Sequence, residues 1–409
     1  MEGKRFIRTL RLQNFLSYGS EGEEIELQPL NVLIGANASG KSNLIEAIGL
    51  LRATPKDLTV PIREGGGISE WLWKGNKEIP TARIEATLEY PKGAILLRYR
   101  ISFTMVGQRL ELVDEIIQND QPNNTAEPDA SFFYQHQSGS APVLLVRTDV
   151  PRQIGGQIGR ALTITQRSLR NFSLDQSILS QRRDPDQYPE LTYLSDQLSQ
   201  IYLYREWNIG RFAELRRPQK TDLPENFLLE DTSNLGLVLN DLQHRSATKN
   251  LIIENLKKFY HAVDDITTKV YGGTVQIFIH EKGLSQPIPA TRLSDGTLRY
   301  LCLLTVLCHP TPPPLICIEE PELGLHPDIL PTIAELLIEA SKRTQLIVTT
   351  HSDSLVSALT EVPAAVIVCE RDEMGSHLHR LEPEPLKQWL QKYSLGELWT
   401  MGEIGGTRW

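Results

Sequence analysis

The chain has 409 residues, enough to bury one large core or two, with 40% hydrophobic and 23% charged residues, the balance of an ordinary globular protein. A formal net charge of -9 excludes a molecule coated in basic surface, and four cysteines (Cys302, Cys308, Cys317, Cys369) in apolar stretches without CxxC spacing argue against a zinc site or disulfide framework. No apolar run reaches membrane-spanning length, and Met1-Glu2-Gly3-Lys4-Arg5 leads into alternation instead of a signal-peptide core, so a cytoplasmic protein with no membrane partner is expected.

Residues 5–15 alternate apolar and polar, with Phe6, Ile7, Leu10, Leu12 and Phe15 on the apolar side, and residues 24–27 do so again. This predicts an antiparallel pair leading into a parallel core. Next comes the apolar run Asn31-Val32-Leu33-Ile34, then Gly35-Ala36-Asn37-Ala38-Ser39-Gly40-Lys41-Ser42, then the helical run from Asn43 to Ile48. Strand, glycine loop and helix in that order make a P-loop in its required context. Glycines at both ends let the backbone wrap phosphate oxygens, while successive N–H groups and the helix N-terminus supply positive charge. Lys41 is placed to reach the β and γ phosphates and the Ser42 hydroxyl to complete a Mg²⁺ shell. The expected ligands are ATP and Mg²⁺, with Gly35 through Asn43 forming the nucleotide site.

Residues 82–90, 95–103 and 110–117 alternate cleanly, which predicts a meander or sandwich-like layer. Residues 119–129, rich in Asn, Pro, Asp and Gln, read as a loop, with the turn signal Pro91-Lys92-Gly93 before it. Apolar spacing turns helical over 191–204 and 249–263, with a loop at 216–222 between them and no sustained heptad, so no long coiled-coil arm is expected. Residues 273–280 return to strand, and from 315 onward strand and helix alternate in the manner of a parallel α/β layer.

Three further motifs carry chemistry. The apolar strand Leu315-Ile316-Cys317-Ile318 ends in Glu319-Glu320. An acid at this strand end holds Mg²⁺ or its water, the role given to Glu319, and the next carboxylate, Glu320, can orient and deprotonate the attacking water. After the following strand comes Thr349-Thr350-His351-Ser352, where His351 can hydrogen-bond a γ-phosphate oxygen or that water. Leu293-Ser294-Asp295-Gly296-Thr297 opens a helix with a Ser cap and a glycine, by itself a helix cap with no ligand and, in company with the other motifs, a second anion site within the chain.

In this order the P-loop, Leu293-Ser294-Asp295-Gly296-Thr297, the run from Ile316 to Pro327 and Thr349-Thr350-His351-Ser352 resemble the ATP-binding-cassette ATPases of the SMC, RecF and OLD group, most closely the stand-alone OLD-like predicted AAA ATPases. The resemblance implies an α/β P-loop NTPase of the ABC-ATPase head type, bilobed, with an antiparallel β layer and a helical insertion. It divides the chain into a first ATPase lobe over 1–190, a helical insertion over 191–270, a second lobe over 271–395 and a tail over 396–409. It also implies an ATP-dependent homodimer in which Ser294 and Gly296 of one subunit contact the γ-phosphate on the other's P-loop. A Mg²⁺-ligating glutamine is implied where the first lobe meets the insertion, Gln181 fitting best and Gln176 being the alternative. Residues 14–18 lie where such ATPases place groups flanking adenine, an ordinary strand end being the other reading. The turn from Glu322 to Pro327 resembles the loop that touches its counterpart across the dimer.

Two departures stand out. The signature carries Asp295 where a transporter-type ATPase has glycine, adding a negative charge near phosphate. Beyond Glu370-Arg371-Asp372 too few residues remain for the TOPRIM nuclease domain of OLD nucleases, so no nuclease activity is expected. The implied function is a dimeric ATP switch acting on a separate effector, such as a nuclease or toxin in phage defence. The alternative is a RecF-like ATPase clamping duplex DNA, for which residues 147–220 hold 12 Lys/Arg against 8 Asp/Glu, including Arg147, Arg152, Arg160, Arg167, Arg170, Arg182, Arg183, Arg211, Arg216 and Arg217. The glycine-rich tail over 395–406 is expected to dock on the second lobe or on a partner.

Overall fold

The computed structural model describes residues 3–91, 96–120, 132–154, 157–169 and 172–406. Most of the loop read at 119–129, and Lys92-Gly93 of the turn before it, lie outside the described residues, as do the side chains of Arg152 and Arg160 and all of Arg170.

The chain opens with the expected antiparallel pair, β1 (Ile7–Gln13) and β2 (Glu23–Glu26), and then enters β3 (Leu30–Gly35), every residue of which is buried. The P-loop follows, then α1 (Lys41–Ala53) and the short α2 (Thr59–Glu64) and α3 (Ile68–Trp71). Strands β4 (Ala82–Leu88), β5 (Leu97–Val106), β6 (Arg109–Asn119), β7 (Phe132–Gln137), β8 (Val143–Ile154) and β9 (Gln157–Ser168) form the meander, joined through β1 and β2 into an eight-stranded antiparallel sheet.

Next come α4 (Ile178–Gln181) and α5 (Pro189–Ser199), then β10 (Tyr202–Tyr204). Helical spacing over 191–204 was therefore right only as far as Ser199. Tyr202–Tyr204 is a strand because it pairs, parallel, with the strand that ends in Glu319. The stretch 191–270 also holds β11 (Gln219–Lys220), α6 (Leu235–Gln243), α7 (Ser246–Phe259) and β12 (Val263–Tyr271). Strand β12 pairs with β13 (Thr274–Glu281), which also pairs with β11 and with β14 (Ile288–Pro289). The rest alternates as expected: α8 (Asp295–Leu307), β15 (Leu315–Glu319), α9 (Leu330–Ser341), β16 (Gln345–Thr349), α10 (Asp353–Ser357), β17 (Val366–Arg371), β18 (Ser376–Arg380), α11 (Pro383–Leu386) and α12 (Leu395–Met401).

One sheet, in the order β10-β15-β16-β3-β17-β18, runs through the middle of the molecule, parallel except for β18. Side chains alternate across a strand, so this sheet separates two cores. Leu33, Leu315, Cys317, Ile347, Ile367 and Cys369 face the core shared with α1 and the antiparallel sheet. Val32, Ile34, Ile316, Ile318, Leu346, Val348, Val366 and Val368 face the core built with α8, α9, α10 and α12. With both faces covered, these strands read as unbroken apolar runs. All four cysteines are free and buried, and burial pushes the Cys302, Cys308 and Cys369 thiols up to about 12. They are small core residues with little thiolate character.

Candidate active site

The parallel strands β3, β15 and β16 deliver their C-terminal ends to one edge, where α/β proteins bind ligands. Glu319 lies opposite Thr349 and Thr349 opposite Leu33, while Gly35 lies opposite Cys369 on the other side. The P-loop backbone needs its glycines. Gly35 has φ 146, and a Cβ there would lie 2.2 Å from the Cys369 carbonyl oxygen; Gly40 has φ 108, and a Cβ there would lie 2.4 Å from Ser376 Oγ. Gly40 is also the N-cap of α1 and supplies no side-chain cap, which leaves the first amides of a 13-residue helix available to an anion.

Lys41 Nζ spans the loop and donates to the Gly35 and Ala36 carbonyls, 2.8 Å each. Burial lowers its pKa, with Cys369 and Glu320 acting in the opposite direction. Ser42 Oγ donates to Glu319 Oε2 at 2.8 Å, so a hydroxyl from the loop and a carboxylate from β15 meet at one point. Burial raises the Glu319 pKa, while the Ser42 hydrogen bond and the Arg205 guanidinium pull it down. Two hard oxygen donors side by side suit Mg²⁺, which Ser42 and Glu319 would hold between them. Asn43 Nδ2 donates to Ser17 Oγ at 2.7 Å, and both line a cleft of about 500 Å³ with Leu16, Leu72, Trp73 and Arg371.

Glu320 turns the chain at φ 46, a left-handed conformation, with its N–H bonded to the Thr349 carbonyl at 3.0 Å. Its side chain reaches to 4.0 Å from His351 Nε2. Glu322 Oε1 accepts from Thr350 Oγ1 at 2.6 Å and from the His351 N–H at 2.9 Å, which ties the turn after β15 to the end of β16. Arg299, on α8, donates to the Glu320 carbonyl at 3.0 Å and lies 5.7 Å over the Trp207 ring.

The signature turn opens α8. Ser294 caps α8, its Oγ accepting from Thr297 N at 3.1 Å, and a Cβ on Gly296 would lie 3.2 Å from the Gly324 carbonyl oxygen. Among the described residues no hydrogen bond joins residues 294–297 to the P-loop.

The family model "AAA domain, putative AbiEii toxin, Type IV TA system" matches residues 30–136 and 162–357. The chain belongs to this AAA family. No curated protein matches it. Among solved structures, the Smc head bound to the C-winged helix domain of ScpA aligns with TM-score 0.57 at 16% identity, covering 93% of this chain and 99% of that one. A Pyrococcus furiosus Smc head with an extended coiled coil, bound to the C-terminal domain of ScpA, gives 0.55 at 15% identity over 95% and 99%. A Pyrococcus yayanosii Smc head with a coiled coil and joint gives 0.50 at 12% over 95% and 99%. At such identities the likeness establishes the fold, that of an SMC-head, ABC-type P-loop ATPase.

In this AAA-family chain the structure brings Gly35 to Asn43, Glu319, Glu320 and His351 to one edge, while among the described residues no hydrogen bond ties Ser294 or Gly296 to the P-loop. It does not bring Gln181 there. Gln181 Oε1 accepts from Ser173 N at 3.1 Å and its Nε2 donates to the Gln176 carbonyl at 2.9 Å, so its side chain closes the 173–181 loop on itself. Gln176 binds Asp57 and Leu58 N, beyond the C-terminal end of α1, about 20 Å along that helix from Ser42. The residue that does flank Glu319 is Arg205, which follows β10 directly. Its guanidinium lies 3.6 Å from Glu319 and grips Glu46 at 2.6 and 3.0 Å. Sequence reading missed Arg205 because it missed β10; the one signal was the short aromatic-apolar run Ile201-Tyr202-Leu203-Tyr204. The basic stretch is also spent in part internally: Arg147 pairs with Glu190, Arg183 with Asp196 and Arg216 with Asp295.

Proposed function

We propose that this chain is a Mg²⁺-dependent ATPase of the OLD-like kind that joins head to tail with a second copy around ATP and so acts as a switch. The observation that carries the reading is an incomplete site: among the described residues no hydrogen bond joins the Ser294–Gly296 turn to the P-loop. The P-loop, the Ser42–Glu319 contact and the Glu320–His351 pair converge at one edge of the parallel sheet. The Ser294–Gly296 turn, which would complete such a site, packs against Gly324 in the turn after β15. A second chain can supply the missing half to each.

In this reading Lys41 and the loop amides bind the β and γ phosphates, and Ser42 and Glu319 hold Mg²⁺, which supplies charge neutralisation when bound. Glu320 accepts a proton from the attacking water, and His351 holds the γ-phosphate or that water in line. The freed phosphate loosens the dimer, and α6 and α7, in the stretch 191–270 proposed as an insertion between lobes at 1–190 and 271–395, present a surface that changes with the ATP state. A separate nuclease or toxin reads that surface in this scheme; the family description supports a toxin–antitoxin setting, with the toxin label on the AAA domain itself. A clamp on duplex DNA is the second reading; three of the ten arginines named for it, Arg147, Arg183 and Arg216, already pair with acids of this chain.

The test is steady-state ATP hydrolysis with and without duplex DNA, with Glu320→Gln as control, and analysis of what co-purifies with that variant in ATP. DNA-stimulated turnover at moderate salt favours the clamp; turnover indifferent to DNA, with a protein retained by the ATP-locked variant, favours the effector switch. Absence of any Glu320-dependent hydrolysis overturns both.

A further inference from the structure

Two oddities of the sequence meet at one contact. Asp295 puts a carboxylate in the turn expected to meet phosphate, and Arg216 is counted among the basic residues available to DNA. Arg216 is in fact 6% exposed. Its Nε donates to the Ile209 carbonyl at 2.9 Å and the Gly210 carbonyl at 3.2 Å, its Nη1 donates to the Leu293 carbonyl at 2.6 Å and lies 3.5 Å from the Ala290 carbonyl, and its Nη2 pairs with the Asp295 carboxylate. The planar fork is thus used on every side, by a loop at 209–210 and by the backbone that leads into Ser294. The Asp295 side chain, by contrast, is 75% exposed, so the carboxylate lies at the surface with the cation beneath it.

We propose that Arg216 is a positioning residue for the signature turn: it fixes residues 290–295 in the orientation that meets the partner's nucleotide and neutralises the one carboxylate that would repel it. The proposal rests on the ATP-bridged dimer put forward above. Negative charge at the first position of a helix is locally favourable. At a surface meant for a γ-phosphate it is tolerable only if the same guanidinium holds it aside. A lysine keeps the charge but has no planar fork to reach both carbonyl pairs.

The experiment uses the full chain with a non-hydrolysable ATP analogue. Sedimentation measures dimerisation, nucleotide titration measures binding to the monomer, and amide hydrogen exchange reports residues 209–210, 290–298 and 35–43. For Arg216→Ala, dimerisation weakens at least tenfold, monomer affinity for the analogue stays within twofold of wild type, and exchange quickens at 209–210 and 290–298 but not at 35–43. Arg216→Lys falls between, and if the alanine variant does not melt cooperatively, Arg216→Lys and Arg216→Gln carry the test. Variants that dimerise and exchange as wild type overturn the proposal alone. A wild type that stays monomeric with the analogue overturns the ATP-bridged dimer, and this proposal with it.

Discussion

At the scale of single residues the site is held by strain and by buried charge. A glutamate at φ 46 costs about 1–3 kcal/mol, and Glu320 is kept there by the Thr349 carbonyl on one side and Arg299 on the other. If its carboxylate is the general base, Glu320→Gln lowers turnover by about 10²-fold or more while ATP still binds, and Lys41→Ala removes ATP binding itself. Rapid-quench hydrolysis and nucleotide titration check the two, and a glutamine variant with wild-type turnover would remove Glu320 from its role. Glu115 makes a pH prediction away from the site. It is fully buried, accepts hydrogen bonds from Tyr99, Ser177 and Ile178 N, and burial pushes its pKa up from 4.5 to about 7. Because the folded value is the higher one, its contribution to stability is full below about 4.5 and declines as pH rises through about 7. Denaturant melts across that window should show stability falling with pH, and Glu115→Gln should flatten the fall.

At the scale of elements, what could be read in the sequence was what one continuous stretch encodes. Strand β3, the glycine loop and α1 are adjacent in the chain, so local pattern and local chemistry agree, and the strands ending in Glu319 and Thr349 were legible for the same reason. Strand β10 was not, because three residues carry no period and only pairing with β15 makes them a strand. Gln181 and Gln176 were chosen by their place in the chain; hydrogen bonds within its own loop hold Gln181, and distant ones to Asp57 and Leu58 hold Gln176. The tail is a case where the sequence left two answers and packing decided. Leu395, Leu398, Trp399 and Ile404 are buried in the core behind the parallel sheet, and a Cβ on Gly396 would lie 2.1 Å from the Asp353 carbonyl. Gly396→Val therefore forces α12 off α10, the helix that starts just after His351, at a cost of about 1–3 kcal/mol. Thermal melting should show the loss, with turnover falling alongside because His351 loses its support.

At the scale of the molecule, the parallel sheet divides the two cores but sends its loops to one shared edge, so a ligand there touches elements from both. The signature turn opens α8, with Gly296 packed near Gly324 and Leu325 and the neighbouring Leu323 56% exposed. An exposed leucine beside the Ser-capped start of α8 is, in the proposed dimer, a surface that a second chain bringing its γ-phosphate would cover. Ser294→Arg tests this without touching the P-loop: the bulky cation removes the Ser cap from α8 and obstructs the approach of a partner. The expected result is a folded monomer that binds ATP with wild-type affinity, does not dimerise when ATP is added, and hydrolyses it no faster than Glu320→Gln. Loss of the cap alone costs about 1 kcal/mol, a modest shift in melting temperature that leaves the monomer intact. Unimpaired ATP-dependent dimerisation by Ser294→Arg would mean that copies meet through another face and that Ser294 takes no part.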